Sequence, residues 1–199
     1  MTDVVEARRA LNRAAVVRAA ADLADVHGLD ALTLTRVAET LGVSLPALYN
    51  HVRSSSDCTA AIAQDGLDAL TERLDTARGT AVRDEAVRAV GSAWRCFAAE
   101  RPGLYSAIHR HRWSRSPEQA AAGDRLLALL RSVVLTYGDS TGGAADRAWA
   151  LGAALHGFVA SEAEGAAPAA ADLDRAFSRL LDLLCEGLRA APFPAPTTR

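Results

Sequence analysis

Lysine is missing from this sequence: each of the 22 basic residues is an arginine, a bias that genome composition produces as readily as function does. Aromatic side chains make up 5% of the chain, and cysteine occurs three times. No stretch approaches the roughly 18 uncharged apolar residues of a membrane span. "MTDVVEARRALNRAAVVRAA" carries charges throughout and lacks the apolar centre of a signal peptide, so a soluble, cytoplasmic protein is expected. Cys58, Cys96 and Cys185 are odd in number and far apart, without CxxC or Cys/His spacing. That disfavours a disulfide framework or a zinc site and leaves buried thiols as the expectation. Strand-like alternation and internal repeats are likewise missing.

What is present points to helices. Half the residues are hydrophobic and alanine dominates among them, which favours helix over sheet. A chain of 199 residues buries a real core and has room for one or two compact units. The expected fold class is all-α. A formal charge of -2 excludes a uniformly basic coat for nucleic acid, but not a small basic face.

Apolar residues at Val16, Ala20, Leu23 and Val26 recur at helical spacing up to Gly28, so a first helix is predicted from about Asn12 to His27. Thr33 offers an N-cap for a short helix carrying Leu34, Val37, Ala38 and Leu41, and Gly42 stands where a tight turn needs positive φ. Ser44 caps the next helix, with Pro46 in its first turn and Leu48 and Val52 pointing together toward the preceding helices. A fourth helix starts at Ser54 or Ser55, with Asp57 in its first turn. Breakers at 78–80, 101–103, 116–117, 137–143 and 164–168 separate five further helical patterns, giving nine helices and a frayed tail over 191–199.

Two short helices joined by a glycine corner, the second held by Leu48 and Val52, make a helix-turn-helix whose second helix enters the major groove of DNA. Its outward residues would be Ser44, Leu45, Pro46, Tyr49 and Asn50. Leu45, Pro46 and Ala47 suit thymine methyl groups, Asn50 a base edge, and Tyr49, His51 and Arg53 phosphates. Thr33, Thr35 and Arg36 would grip the backbone beside the groove. Through residue 55 the arginines (8, 9, 13, 18, 36, 53) match the acids (3, 6, 22, 25, 30, 39) in number. Binding should therefore rest on charge placement, with Arg8, Arg9, Arg13, Arg36 and Arg53 flanking the groove and Asp22, Asp25 and Asp30 facing away. Moderate salt dependence follows.

At "LTLTRVAETLGVSLPALYNHVRS" the sequence resembles the tetracycline-repressor (TetR) family of transcriptional regulators. Ala38, Leu41-Gly42-Val43, Leu48-Tyr49 and His51-Val52-Arg53 carry the resemblance. "AWALGAALHGFVASE", with Trp149, His156 and Gly157, is similar to the Trp-His-Gly pattern of one ligand-domain subgroup. Ser55 replaces the lysine usual after the reading helix, and Leu45 stands where many members carry a polar or basic residue. The resemblance implies a DNA-binding domain over 1–53, an effector-binding and dimerisation domain over 54–190, and a homodimer built on a four-helix bundle.

Trp94, Phe97, Tyr105, Trp113 and Trp149 sit on helical patterns, where filling the core is the ordinary use of an aromatic residue. As a set, with Ile108, His109, Leu126, Leu130 and His156, they would wall an apolar effector pocket. His109 and His111 lie on different faces of a helix, so no metal pair is expected, and no cofactor is expected either. Leu151, Leu155, Phe158 and Val159 on one late helix, and Phe177, Leu180 and Leu184 on the last, form wide apolar stripes that a symmetric partner would cover. An enzyme is not indicated: HExxH, GxSxG, a Gly-rich phosphate loop and an ExxH pair are all missing. The alternative reading is a helical protein-interaction module that has lost sequence-specific DNA binding.

Overall fold

A computed structural model describes residues 11–110, 117–138, 141–166 and 172–190. Among the described residues there are nine α-helices, one 3-10 turn and no strand. In chain order they are α1 (Arg13–His27), the 3-10 turn (Leu29–Ala31), α2 (Leu34–Thr40), α3 (Leu45–Tyr49), α4 (Ser55–Arg78), α5 (Arg83–Glu100), α6 (Pro102–Arg110), α7 (Pro117–Leu135), α8 (Thr141–Ala163) and α9 (Leu173–Arg189). Arg8, Arg9, His111, Trp113 and the tail over 191–199 lie outside the described residues.

Side-chain caps set the starts. The Asn12 side-chain oxygen accepts from the Ala15 N–H at 2.9 Å, Thr33 from Arg36 at 3.3 Å, Ser44 from Ala47 at 3.4 Å and Ser54 from Asp57 at 3.0 Å. Each satisfies a donor that the first turn of a helix leaves without a partner. The 3-10 turn was not legible beforehand, because three residues show no periodicity. Thr141-Gly142-Gly143, read from sequence as part of a break, forms the first turn of α8. Buried Ala144, Ala148, Leu151 and Leu155 anchor that helix and outweigh the roughly 1 kcal/mol that each glycine costs.

Packing divides the chain into two compact units: Met1–Asp68 with Glu100–Ala120, and Ala69–Ala99 with Ala121–Arg199. The first half of α4 belongs to one and the remainder to the other. In the first unit α1 buries Val16, Val17, Ala20, Ala21 and Ala24 and packs against α6, α2 and the 3-10 turn. The α1–α6 approach is backbone on backbone, since a β-carbon at Gly103 would lie 2.2 Å from the carbonyl carbon of Ala24. Asp25 completes the joint. One of its carboxylate oxygens accepts from the N–H groups of Gly103 (2.8 Å) and Leu104 (3.0 Å), the other from the Arg101 guanidinium at 2.5 Å.

In the second unit α5 presents Gly91 to Leu155 of α8 and Leu181 of α9, while Gly152 of α8 admits Leu130 and Trp94. Arg95 donates to both oxygens of Glu162 (2.8 and 2.5 Å) and to Asp174 (2.8 Å), with its guanidinium carbon 5.0 Å from the Phe177 ring centroid. Cys58 and Cys185 are buried as expected, and burial pushes the Cys58 thiol up to about 11. Cys96 is exposed, contrary to the expectation of a buried thiol. It falls between the inward positions Trp94 and Phe97 on α5, so helical phase turns it outward.

Gly103→Ala is expected to lower unfolding stability by roughly 1–3 kcal/mol, because α1 and α6 must separate to admit the methyl group. Urea denaturation of the purified variant measures it.

Candidate nucleic-acid interface

The turn between α2 and α3 is closed by two backbone bonds, Val43 N–H to the Ala38 carbonyl (3.0 Å) and Gly42 N–H to the Glu39 carbonyl (3.1 Å). With Gly42 at φ 63° this is a Schellman ending, which fixes the direction in which the chain leaves α2. Leu48 and Val52 are both fully buried, so α3 is keyed to the body from below. Its opposite side is open: Ser44, Pro46, Tyr49 and Asn50 are exposed, Tyr49 by 50%. Leu45, Ala47 and His51 are half-buried at the flanks. Thr33 and Thr35 are exposed at the start of α2, and Arg53 is exposed just beyond α3.

A carboxylate locks the exit of α3. Asp57 accepts from the backbone N–H of Arg53 at 2.9 Å, from the Arg53 guanidinium at 3.2 Å, and from both terminal nitrogens of Arg13 at 3.1 and 3.2 Å. Arg13 also donates to the carbonyl of His51 at 2.8 Å. The Arg13 guanidinium, first, and the Arg53 N–H, second, hold the Asp57 carboxyl well below the usual carboxylate range. Arg13 is thus a brace, not only a flanking cation. The i,i+4 spacing of Arg53 and Asp57 could have been read from the sequence; the pairing of Arg13 with Asp57, 44 positions apart, could not. Arg36 is partly committed as well, donating to the Ala31 carbonyl at 3.2 Å.

Comparison with known proteins decides what this head belongs to. A profile described as "Tetracyclin repressor-like, C-terminal domain" matches residues 87–184. The uncharacterized HTH-type transcriptional regulator Rv0681 of Mycobacterium tuberculosis is 33% identical over 179 residues, covering 89% of this chain and 82% of that protein. The chain belongs to the TetR family of transcriptional regulators. Like the rest of the TetR family it is a helix-turn-helix regulator and not an enzyme. Among solved structures, BioQ with its double-stranded DNA operator superposes with a TM-score of 0.69 at 24% identity, covering 91% of this chain and 99% of that one. A TetR variant from Acinetobacter baumannii AYE in complex with minocycline gives 0.67 at 22% identity, again covering 91% and 99%.

The residues expected to wall an effector pocket in this TetR-family chain fall in both units. Trp94, Phe97, Leu126 and Leu130 are buried in the second unit, where half-buried His156 also lies. Burial pushes the His156 imidazole below the ordinary histidine value, holding it neutral at physiological pH. Tyr105, Ile108 and His109 belong to α6 in the first unit, with the Tyr105 and His109 rings edge to face at 4.5 Å. Trp149 is 69% exposed and lines no interior. An open groove of about 750 Å³ in the second unit is walled by Ala69, Glu72, Arg73, Ala77, Ala89 and Ala93.

The expected partner-facing stripe is also redistributed. Leu151, Leu155, Val159 and Phe177 are buried within the chain's own core, and Phe158 stacks at 5.1 Å on Phe177 beneath Arg95. Leu180 and Leu184 are half-exposed, and Leu183 is 65% exposed. An apolar stripe this wide serves two purposes: its inner edge fills the core and its outer edge faces out. Sequence periodicity alone gives the stripe without the dividing line.

Asp57→Asn is expected to cost roughly 1–3 kcal/mol at neutral pH by weakening the bonds to Arg13 and Arg53. Because the folded carboxyl titrates below its unfolded value of about 3.9, its contribution is complete above that value and fades as pH falls further. The stability gap between wild type and variant should therefore close on acidification below about pH 4, as urea titrations at a series of pH values will show.

Proposed function

We propose that this chain binds a two-fold symmetric operator as a homodimer, acts as a repressor, and is released by a small, largely apolar effector. One observation carries the DNA assignment. An outward, uncharged reading surface of Ser44, Pro46, Tyr49 and Asn50 stands on a helix whose underside is fully buried and whose exit is tied by Asp57. The BioQ neighbour bound to its operator supports it. Pro46 with half-buried Leu45 and Ala47 would meet thymine methyl groups, Asn50 a base edge, and Tyr49 and Arg53 phosphates. Thr33 and Thr35 would hold the backbone beside the groove.

For the dimer, the outer edge of α8 and α9 is apolar and exposed at Trp149 and Leu183, with Leu180 and Leu184 beside them. Two copies pairing there would place the reading helices about one DNA turn, ~34 Å, or somewhat more apart. The effector would enter the second unit among Trp94, Phe97, Leu126, Leu130 and His156, an apolar set with one neutral imidazole. The neighbour in complex with minocycline supports a ligand in this fold. Such a ligand acts through α4, which follows directly on the reading helix and has residues in both units, and only by its differential affinity for two arrangements of the head.

Incubation of the purified protein with fragmented genomic DNA, followed by recovery and sequencing, is expected to enrich a two-fold symmetric motif; failure to enrich one favours the interaction module. Tyr49→Ala and Arg53→Ala should abolish or strongly weaken binding with unchanged far-UV circular dichroism. In a dimer, Arg53→Ala should also flatten the plot of log affinity against log salt by about two units, one per head. Leu183→Glu is expected to give folded monomers in sedimentation, whereas Leu155→Glu, buried in the core, should not fold.

A further inference from the structure

Guanine in the major groove is read by the fork of an arginine or by a lysine, and this chain has no lysine. Among the described residues up to Ser55 the arginines are Arg13, Arg18, Arg36 and Arg53, and none of them stands on α3. Arg13 is committed to Asp57 and the His51 carbonyl, and Arg53, just past the helix, turns a guanidinium nitrogen onto Asp57 as well. Arg36 reaches back to the Ala31 carbonyl, and Arg18 belongs to α1, outside the two helices of the motif. Thr35, exposed at the start of α2, carries only a hydroxyl.

The first turn of α3 offers something else. Leu45, Pro46 and Ala47 follow one another there, Pro46 exposed and the other two half-buried, above the buried Leu48. The Ser44 hydroxyl oxygen beside them accepts from the Ala47 N–H, and the Asn50 amide at the end of the helix has the donor and acceptor that suit an adenine edge. We infer that this head identifies its operator by pyrimidine C5-methyl groups and adenine edges, reads no guanine in the major groove, and takes the methyl preference from Leu45. Leu45 has the longest apolar reach of the three, and it stands where many members of the family carry a polar or basic residue. An apolar contact senses the methyl group and is blind to the exchange of a carbonyl for an amine beside it. A cytosine methylated at C5 therefore passes for thymine, and C5 methylation of the DNA changes which sites the head accepts. The inference rests on the DNA-reading assignment and deepens it.

Anisotropy titrations of the full-length protein on synthetic forms of the recovered operator test it, each base being changed in both half-sites at once. Uracil in place of thymine is expected to weaken binding about fifteenfold at one or two positions of each half-site, about fourfold for each methyl group lost. A C·G pair at those positions should weaken it at least as much, and methylation of that cytosine at C5 should restore it to within about threefold. Replacing each guanine by its 7-deaza analogue, which lacks the N7 acceptor, should change affinity less than about twofold. Indifference to uracil at every thymine, no rescue by the cytosine methyl group, or a loss of about tenfold on removing a guanine N7 overturns the inference. In Leu45→Ala the uracil penalty should shrink to about threefold while affinity for the uracil duplex stays within about twofold of wild type. Equal weakening on both duplexes makes Leu45 a packing residue and overturns its role. Should Leu45→Ala fail to fold, Leu45→Gln, similar in length and polar at its end, is read in the same way. Recovery of no operator at all defeats the operator proposal together with this inference, whereas an operator bound without regard to its methyl groups defeats this inference alone.

Discussion

The Asp57 carboxylate is where the two ends of the reading head meet. Arg13 arrives from the first residue of α1, Arg53 from the chain just past α3, and both are gathered onto the first turn of α4. Without that gathering, a five-residue helix would have only Leu48, Val52 and the turn before it to hold its orientation. A helix so short has little stability of its own, since nucleation alone is unfavourable and propagation has barely begun. Its geometry is therefore a tertiary property, supplied by two buried side chains, a Schellman turn before it and an ionic tie after it. The exposed reading surface depends on all three.

Local signals were legible in the sequence wherever one residue type satisfies one backbone need. Asn12, Thr33 and Ser44 announced helix starts, Gly28 a helix end and Gly42 a positive φ, and the nine-helix count followed from the breakers. Side-chain direction was legible only where a helix is narrow: Leu48 and Val52 inward, Tyr49 and Asn50 outward. On α8 and α9 it failed in detail, because α8 is apolar nearly all round and α9 carries a broad leucine stripe, and apolar character does not say which leucine faces the chain's own core. Leu155 and Leu183 look alike in sequence; one is fully buried and the other mostly exposed. Trp149, on the same apolar helix, is exposed as well. Long-range ties, Arg13 to Asp57 and Asp25 to Arg101, leave no mark in a single sequence.

Charge balance in the head makes better sense once these ties are known. Its acids and arginines are equal in number, which read as a weak electrostatic footing for a DNA partner. In the fold, Asp22, Asp25 and Asp30 are matched by Arg101 and Arg110, cations that lie outside the head's own stretch of sequence. The neutrality of residues 1–55 thus overstates how far the outward face is discharged. All these pairs are guanidinium–carboxylate, and arginine keeps its charge at any pH a protein tolerates, so their cationic side is fixed and only the carboxylates titrate.

The length of α4 has a further mechanical consequence. At 24 residues, α4 is about 36 Å long, and it runs unbroken from the turn that holds Asp57 to Arg78. A rod of that length converts small angles into distances on the scale of a duplex: pivoting it by about 5° moves its far end by about 3 Å, close to the ~3.4 Å rise of one base pair. Tilts of a few degrees in a helix of this length are thus commensurate with single steps along a duplex.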